Sequence, residues 1–212
     1  MKHIKNIIFD YGNVIFLIDF LKTQHTFTEL GIENVDRFFA HAGHDPLFDE
    51  FEQGNISSAE FRDGIRRITG RPELSDKDID GAWTSLLIGV PPVNHELLLK
   101  AKERYRTFLL SNINEIHLDY ITDYLKKEYQ IESNDMFFEK VYYSHLVRMR
   151  KPNREIFDLV LNENKLNPAE TLFIDDSPQH LKTAQELGLH THLMTREDSL
   201  EKFLYRSGLL EK

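Results

Sequence analysis

The sequence predicts an α/β protein, a doubly wound parallel sheet carrying an inserted α-helical bundle. Three observations lead there. The stretch Ile4 to Val14 holds an unbroken apolar run, Ile7-Ile8-Phe9, as a strand buried on both faces does. From Phe20 to Leu87 the apolar positions instead recur at helical spacing, with no strand-like alternation standing out. From Val93 onward helical and strand-like stretches alternate, which implies βαβ units and a parallel sheet. The expected division is a core of residues 1–17 and 90–212 and a helical insertion of residues 18–89.

The first strand stops at Asp10, and Gly12 and Asn13 follow, both tolerant of a sharp change in backbone direction. A carboxylate is thereby set at the carboxyl end of a buried strand, where open α/β sheets place their ligands. In the insertion, Phe38, Phe39 and Ala42, then Phe61, Ile65 and Ile68, mark apolar helix faces. Ser57 ahead of Ser58-Ala59-Glu60 makes a capping box, and Ser75 opens another acidic turn. Gly43, Gly54 and Gly70 separate the helices, and Gly89-Val90-Pro91-Pro92 closes the segment because its prolines forbid a continuing helix.

Beyond that linker, Val93 to Arg104 reads as helix and Thr107 to Ser111 as a buried strand. Glu115 to Glu128 is helical, Lys140 to Ser144 strand-like, and Arg154 to Asn164 helical. Thr171 to Asp175 is a strand, and Pro178 to Leu187 a helix that ends at Gly188. His190 to Leu193 makes a last strand and Ser199 to Tyr205 a terminal helix.

Composition narrows the function. The 212 residues suffice for a substantial core, with 41% apolar and 29% charged residues as in globular proteins. A formal net charge of −9 argues against affinity for nucleic acid or an anionic membrane. An anionic substrate must then be drawn in by a local positive site or a bound cation. With no cysteine, disulfides, thiolate metal sites and cysteine catalysis are excluded. The N-terminal apolar run leads straight into Asp10, unlike a signal peptide, and no apolar stretch approaches the ~20 residues of a membrane span. The expectation is a cytoplasmic protein, monomeric or homodimeric.

If the strands are parallel, their carboxyl ends share one edge. Asp10, Ser111 with Asn112, and Asp175 with Asp176 stand at strand tips, and Lys151 lies in the loop after another strand. Each alone reads as a cap or a solvated loop; four in order are hard to obtain from capping. Three crowded carboxylates repel, and a hard divalent cation such as Mg²⁺ relieves them while keeping positions for water and phosphate. Lys151 supplies a second positive charge, Ser111 a hydroxyl and Asn112 a backbone N–H, all suited to phosphate oxygens. Asp10 can then attack phosphorus, dividing one hard hydrolysis into two easier steps.

The motifs Phe9-Asp10-Tyr11-Gly12-Asn13-Val14, Leu110-Ser111-Asn112, Arg150-Lys151-Pro152 and Ile174-Asp175-Asp176-Ser177 resemble those of the haloacid dehalogenase superfamily. The resemblance covers nearly the whole chain, and implies a Rossmann-like core with a helical cap. It also implies Asp10 as nucleophile and Mg²⁺ ligand, the Gly12 carbonyl as another ligand, and Asp175 and Asp176 completing the metal site. Ser111 and Lys151 would hold the phosphate of a small phosphorylated metabolite. Phosphatases of this superfamily usually carry a second Asp, an acid and base, where Gly12 stands here. The Gly-Asn-Val form is similar to a subgroup of sugar-phosphate phosphatases that includes α-glucose-1-phosphate phosphatases, so sugar 1-phosphates are the favoured substrates.

Two other readings compete. A dehalogenase would use the same aspartate on carbon and need no metal, and a phosphosugar-binding protein could have lost turnover with its acid. Among the remaining residues, His41 and His44 are candidate proton donors from the insertion, against a surface role. Trp83 reads as core of the insertion, Asp49 and Glu52 as a solvated helix face, and His180 as compensation for nearby charge.

Overall fold

The period-2 geometry of a strand sends alternate side chains of each apolar run to opposite faces, so a continuous run needs cover on both sides. The computed structural model describes residues 1, 3–32, 35 and 46–211. Its strands are β1 (Asn6–Phe9), β2 (Leu17–Ile18), β3 (Leu87–Gly89), β4 (Arg106–Ser111), β5 (Lys140–Tyr143), β6 (Thr171–Asp175) and β7 (His190–Leu193). Before β3 come the helices α1 (Phe20–Glu29), α2 (Pro46–Glu52), α3 (Ser58–Thr69) and α4 (Asp76–Thr84). After it come α5 (Pro92–Arg104), α6 (Glu115–Tyr129), α7 (Ser144–Val147), α8 (Arg154–Glu163), α9 (Pro178–Glu186) and α10 (Leu200–Arg206).

Five parallel strands form one sheet in the order β5-β4-β1-β6-β7. The chain moves outward from β1 to β4 and β5, then returns to β6 and β7 on the other side. The order therefore reverses at β1, and the crevice at its carboxyl end is the expected ligand position. On one face Ile7, Phe9, Leu109 and Ile174 pack with Leu97, Ile121, Leu125 and Phe203. On the other, Ile8, Phe108, Leu110 and Phe173 pack with Ile156, Phe157, Val160 and Leu181. The doubly wound sheet expected from the strand–helix alternation is thus present.

The helices between β2 and β3 have a separate core of Phe27, Phe51, Phe61, Ile65, Ile79 and Ala82, which also reaches Ile116 of α6. Both capping boxes form, Ser57 with Glu60 and Ser75 with Asp78. Gly54 and Gly70 adopt positive φ as helix separators should. A Cβ on Gly54 would lie 2.1 Å from the carbonyl oxygen of His145, so the insertion approaches the core too closely there for any side chain. The antiparallel pair β2–β3 went unforeseen, because two or three residues are too short to show alternation. Phe38, Phe39, His41, Ala42, Gly43 and His44 lie outside the described residues. No described helix is long and apolar enough to cross a membrane.

Phe61 stacks on Phe51 with ring centroids 4.2 Å apart and lies 5.1 Å from Trp83. Phe61→Ala should cost about 3–5 kcal/mol of stability to the helical insertion. Denaturant unfolding measures it, and a loss under about 1 kcal/mol would contradict this account of the cluster.

Candidate active site

Register brings the acids together. Phe9 lies opposite Ile174, so the next residues along, Asp10 and Asp175, stand side by side. The Asp10 N–H donates to the Ile174 carbonyl at 2.8 Å. Lys151, from the loop that follows α7, sends Nζ between them, 2.6 Å from Asp10 Oδ1 and 2.7 Å from Asp175 Oδ2. Its side chain is 0% exposed, and the ammonium lies 5.4 Å from the centre of the Phe173 ring. Asn112, just past β4, fixes the lysine backbone at two points. Its Oδ1 accepts from the Lys151 N–H at 2.9 Å, and its Nδ2 donates to the Lys151 carbonyl at 2.8 Å. The Lys151–Pro152 bond is cis.

The two neighbouring acids differ. Asp175 is fully buried with both oxygens engaged: Oδ1 accepts from the Ser177 N–H (2.8 Å) and His180 Nδ1 (2.9 Å), and Oδ2 from Lys151. Asp176 is half-buried, and its Oδ2 accepts from Asn13 Nδ2 at 2.9 Å. Ligand oxygens of Asp10, Asp175 and Asp176 lie within 4.8 Å of one another, the one such group of metal-ligating type found among the described residues. An oxygen-only set of three carboxylates fits a hard cation such as Mg²⁺.

Burial and neighbouring charge together set the protonation states. Burial pushes Asp10 up from 3.8 to about 7, with Asp175 and Asp176 acting the same way and Lys151 against them. Burial would raise Asp175 too, but Lys151 and then His180 hold it below the usual carboxylate range. Burial works against the charge on Lys151, and Asp10 with Asp175 outweighs it, keeping the ammonium above the ordinary lysine range. One buried cation thus faces three acids, and an added cation would favour ionised Asp10.

A model of haloacid dehalogenase-like hydrolases matches residues 109–194. D-ribitol-5-phosphate phosphatase of Bacteroides thetaiotaomicron is 32% identical over 190 residues, spanning 89% of this chain and 90% of that protein. The chain belongs to the haloacid dehalogenase-like hydrolases. A HAD family enzyme of Bacteroides thetaiotaomicron, crystallised with magnesium and inorganic phosphate, is similar at TM-score 0.84 and 37% identity, over 94% of this chain and 98% of that one. A predicted HAD-like family hydrolase from Porphyromonas gingivalis is similar at TM-score 0.86 and 31% identity, over 99% and 100%.

In this haloacid dehalogenase-like hydrolase, Asp10, Lys151, Asp175 and Asp176 converge as their places at strand ends suggested. Ser111 ends β4 beside them, buried and opposite Tyr143. Gly12 lies in the turn after Asp10, in a bridge with Phe16. Asn112 adds a clamp on Lys151 that its expected backbone role did not include. Trp83 packs against Phe48 and Phe61 in the insertion, and also stacks on His117 of α6. The solvated-face reading holds for Asp49 and needs correction for Glu52. Asp49 is exposed but paired with Arg150, and Glu52 is half-buried, 2.8 Å from the same guanidinium. The cause is docking of α2 on α7 and the loop that follows it, with Ser144 Oγ at the start of α7 donating to the Glu52 carbonyl at 2.6 Å. Sequence reasoning missed Ser144 and the side-chain role of Asn13, since a lone Ser or Asn after an apolar run carries no distinguishing pattern.

The raised Asp10 means that the metal-free folded protein keeps a proton which the unfolded chain releases above about pH 4. Between about pH 4 and 7 the native state therefore binds more protons, and this group's contribution to stability falls as pH rises. Asp10→Asn removes that titration. In EDTA, the unfolding free energy of the variant relative to wild type should rise by on the order of a few kcal/mol between about pH 4 and 8. A difference that stays flat with pH would contradict the buried, proton-holding Asp10.

Proposed function

We propose that the chain is a Mg²⁺-dependent phosphomonoesterase for small sugar or polyol phosphates, working through an aspartyl-phosphate on Asp10. The observation that carries the reading is the buried Lys151 ammonium shared by Asp10 and Asp175 at the sheet edge. The magnesium- and phosphate-bound relative and the D-ribitol-5-phosphate phosphatase support the same chemistry. In this reading Asp10, Asp176 and the Gly12 carbonyl hold the ion, with Asp175 behind them because Lys151, His180 and Ser177 already occupy its oxygens. Bound Mg²⁺ supplies charge neutralisation at the transferring phosphoryl group.

The protein's own residues divide the remaining work. Lys151 and the Ser111 hydroxyl hold phosphate oxygens, and Asn112 keeps Lys151 in place. An Asp10 carboxylate oxygen bonds to phosphorus as the ester P–O bond breaks, and the leaving oxygen takes a proton from water or a nearby donor. Water then attacks the same phosphorus, releasing inorganic phosphate and restoring Asp10. Residues 18–89 act as the cap over the sheet edge, which agrees with the Arg150 pairs to Asp49 and Glu52 across that seam.

Gly12 bears on substrate choice. Without an acid there, esters that release a more acidic hydroxyl need the least help, which favours sugar 1-phosphates over 6-phosphates. The relative's D-ribitol 5-phosphate, by contrast, releases an ordinary primary alcohol. A Cβ added at Gly12 would meet only the flexible tip of Ile18, at 3.2 Å, so the backbone there can take Gly12→Asp as a probe. The test is kcat/KM for glucose 1-phosphate, glucose 6-phosphate and D-ribitol 5-phosphate, with Mg²⁺ and with EDTA, in wild type and Gly12→Asp. EDTA should abolish turnover of all three. Glucose 1-phosphate should exceed glucose 6-phosphate, and Gly12→Asp should narrow that gap within the ~10²–10⁴-fold range of general acid catalysis. Full activity in EDTA would overturn the metal reading. A preference for the 6-phosphate unaltered by the new acid would overturn the leaving-group argument, and a lead for D-ribitol 5-phosphate over both glucose esters would show that cap contacts outweigh it.

A further inference from the structure

Asn13 stands where the chain leaves the sheet edge for the helical insertion. Its backbone is left-handed, at φ 54°, which Asn tolerates better than most residues. The side chain faces two ways. Nδ2 donates to Asp176 Oδ2 at 2.9 Å, and Oδ1 accepts from the Ile18 N–H at 3.2 Å. Ile18 ends β2 and lies opposite Leu87 of β3, and the next amide, Asp19 N–H, donates to the Leu86 carbonyl at 2.8 Å. One planar amide therefore joins the less buried acid of the cluster to the strand pair through which the chain enters and leaves residues 18–89.

The residue type is specific to that position. An ionised aspartate could not donate to Asp176, a serine would have to make both contacts through one oxygen where Asn13 uses two separate atoms, and a glycine keeps the backbone but offers neither contact. We propose that Asn13 is a positioning residue that couples cation binding at Asp176 to the β2–β3 strand pair. A cation that pins the Asp176 carboxylate pins the Asn13 amide with it, and so holds the Ile18 N–H. The coupling rests on the reading of Asp176 as a metal-holding residue. It gives the ion a second effect besides its charge, an ordering of the junction between sheet and insertion.

Calorimetric Mg²⁺ titration without substrate, together with amide hydrogen exchange at Ile18 with and without Mg²⁺, tests the proposal in wild type, Asn13→Gly and Asp176→Asn. Glycine suits the positive φ, so Asn13→Gly removes the side-chain bridge alone. Partners of metal-binding side chains typically contribute about 10–100-fold to affinity, and Asn13→Gly should weaken Mg²⁺ binding by at least about tenfold. Mg²⁺ should slow Ile18 exchange in wild type and leave it unchanged in Asn13→Gly, a difference that a merely structural side chain would not produce. Binding within about twofold of wild type in Asn13→Gly, or Mg²⁺ protection of Ile18 that survives there, would overturn the coupling. Loss of Mg²⁺ binding in Asp176→Asn with wild-type binding in Asn13→Gly would overturn the role of Asn13 alone. Wild-type binding in Asp176→Asn would overturn the metal assignment and the coupling with it.

Discussion

A buried ammonium shared by two buried carboxylates is the constraint around which this molecule is arranged. Lys151 is fully enclosed, and an unpaired charge there would cost several kcal/mol, so Asp10 and Asp175 are required partners. The pair is possible only because parallel register sets the ends of β1 and β6 side by side and because Asn112 grips the Lys151 backbone from the end of β4. Removing Asp175, the partner held ionised, would leave the lysine without its compensating charge, the situation that makes broken buried ion pairs destabilising. The cost of assembling such a centre is met by two apolar layers, one on each face of the sheet.

That centre still carries more negative than positive charge, and the imbalance links stability to function. Asp10 holds its proton to about pH 7 in the metal-free protein, which is poor for a nucleophile and useful for a site waiting for a cation. The helical insertion meets the core at several defined contacts. His117 of α6 stacks on Trp83, its ring centroid 5.1 Å away, and its Nε2 donates to the Trp83 carbonyl at 2.9 Å. Burial pushes His117 down to about 4, so the contact stays uncharged near neutral pH. Arg150, one residue before Lys151, holds Asp49 and Glu52 of α2. The helical insertion and the buried lysine at the sheet edge thus share one loop.

Much of this was legible in the sequence. Ile7-Ile8-Phe9 ending in Asp10, and Phe173-Ile174 ending in Asp175, are apolar runs long enough to mark buried strands, and a carboxylate at the tip of such a run is conspicuous. Ser57 and Ser75 were readable as caps because a capping box is local, spanning four residues. What was not legible depends on distant partners. Asn112 pairs with Lys151 across 39 positions and Asn13 with Asp176 across 163, and neither spacing leaves a periodic trace. Glu52 looked solvated because helical spacing alone does not show which loop of the core packs against it.

The nucleophilic role of Asp10 is the central claim, and acid-quench trapping during turnover of a radiolabelled phosphomonoester tests it most directly. The account predicts a hydroxylamine-labile phosphoryl group on the peptide that contains Asp10, formed while substrate is present and chased away once it is exhausted. Continuous turnover with no label at Asp10 at any quench time, or label on another residue, would contradict it.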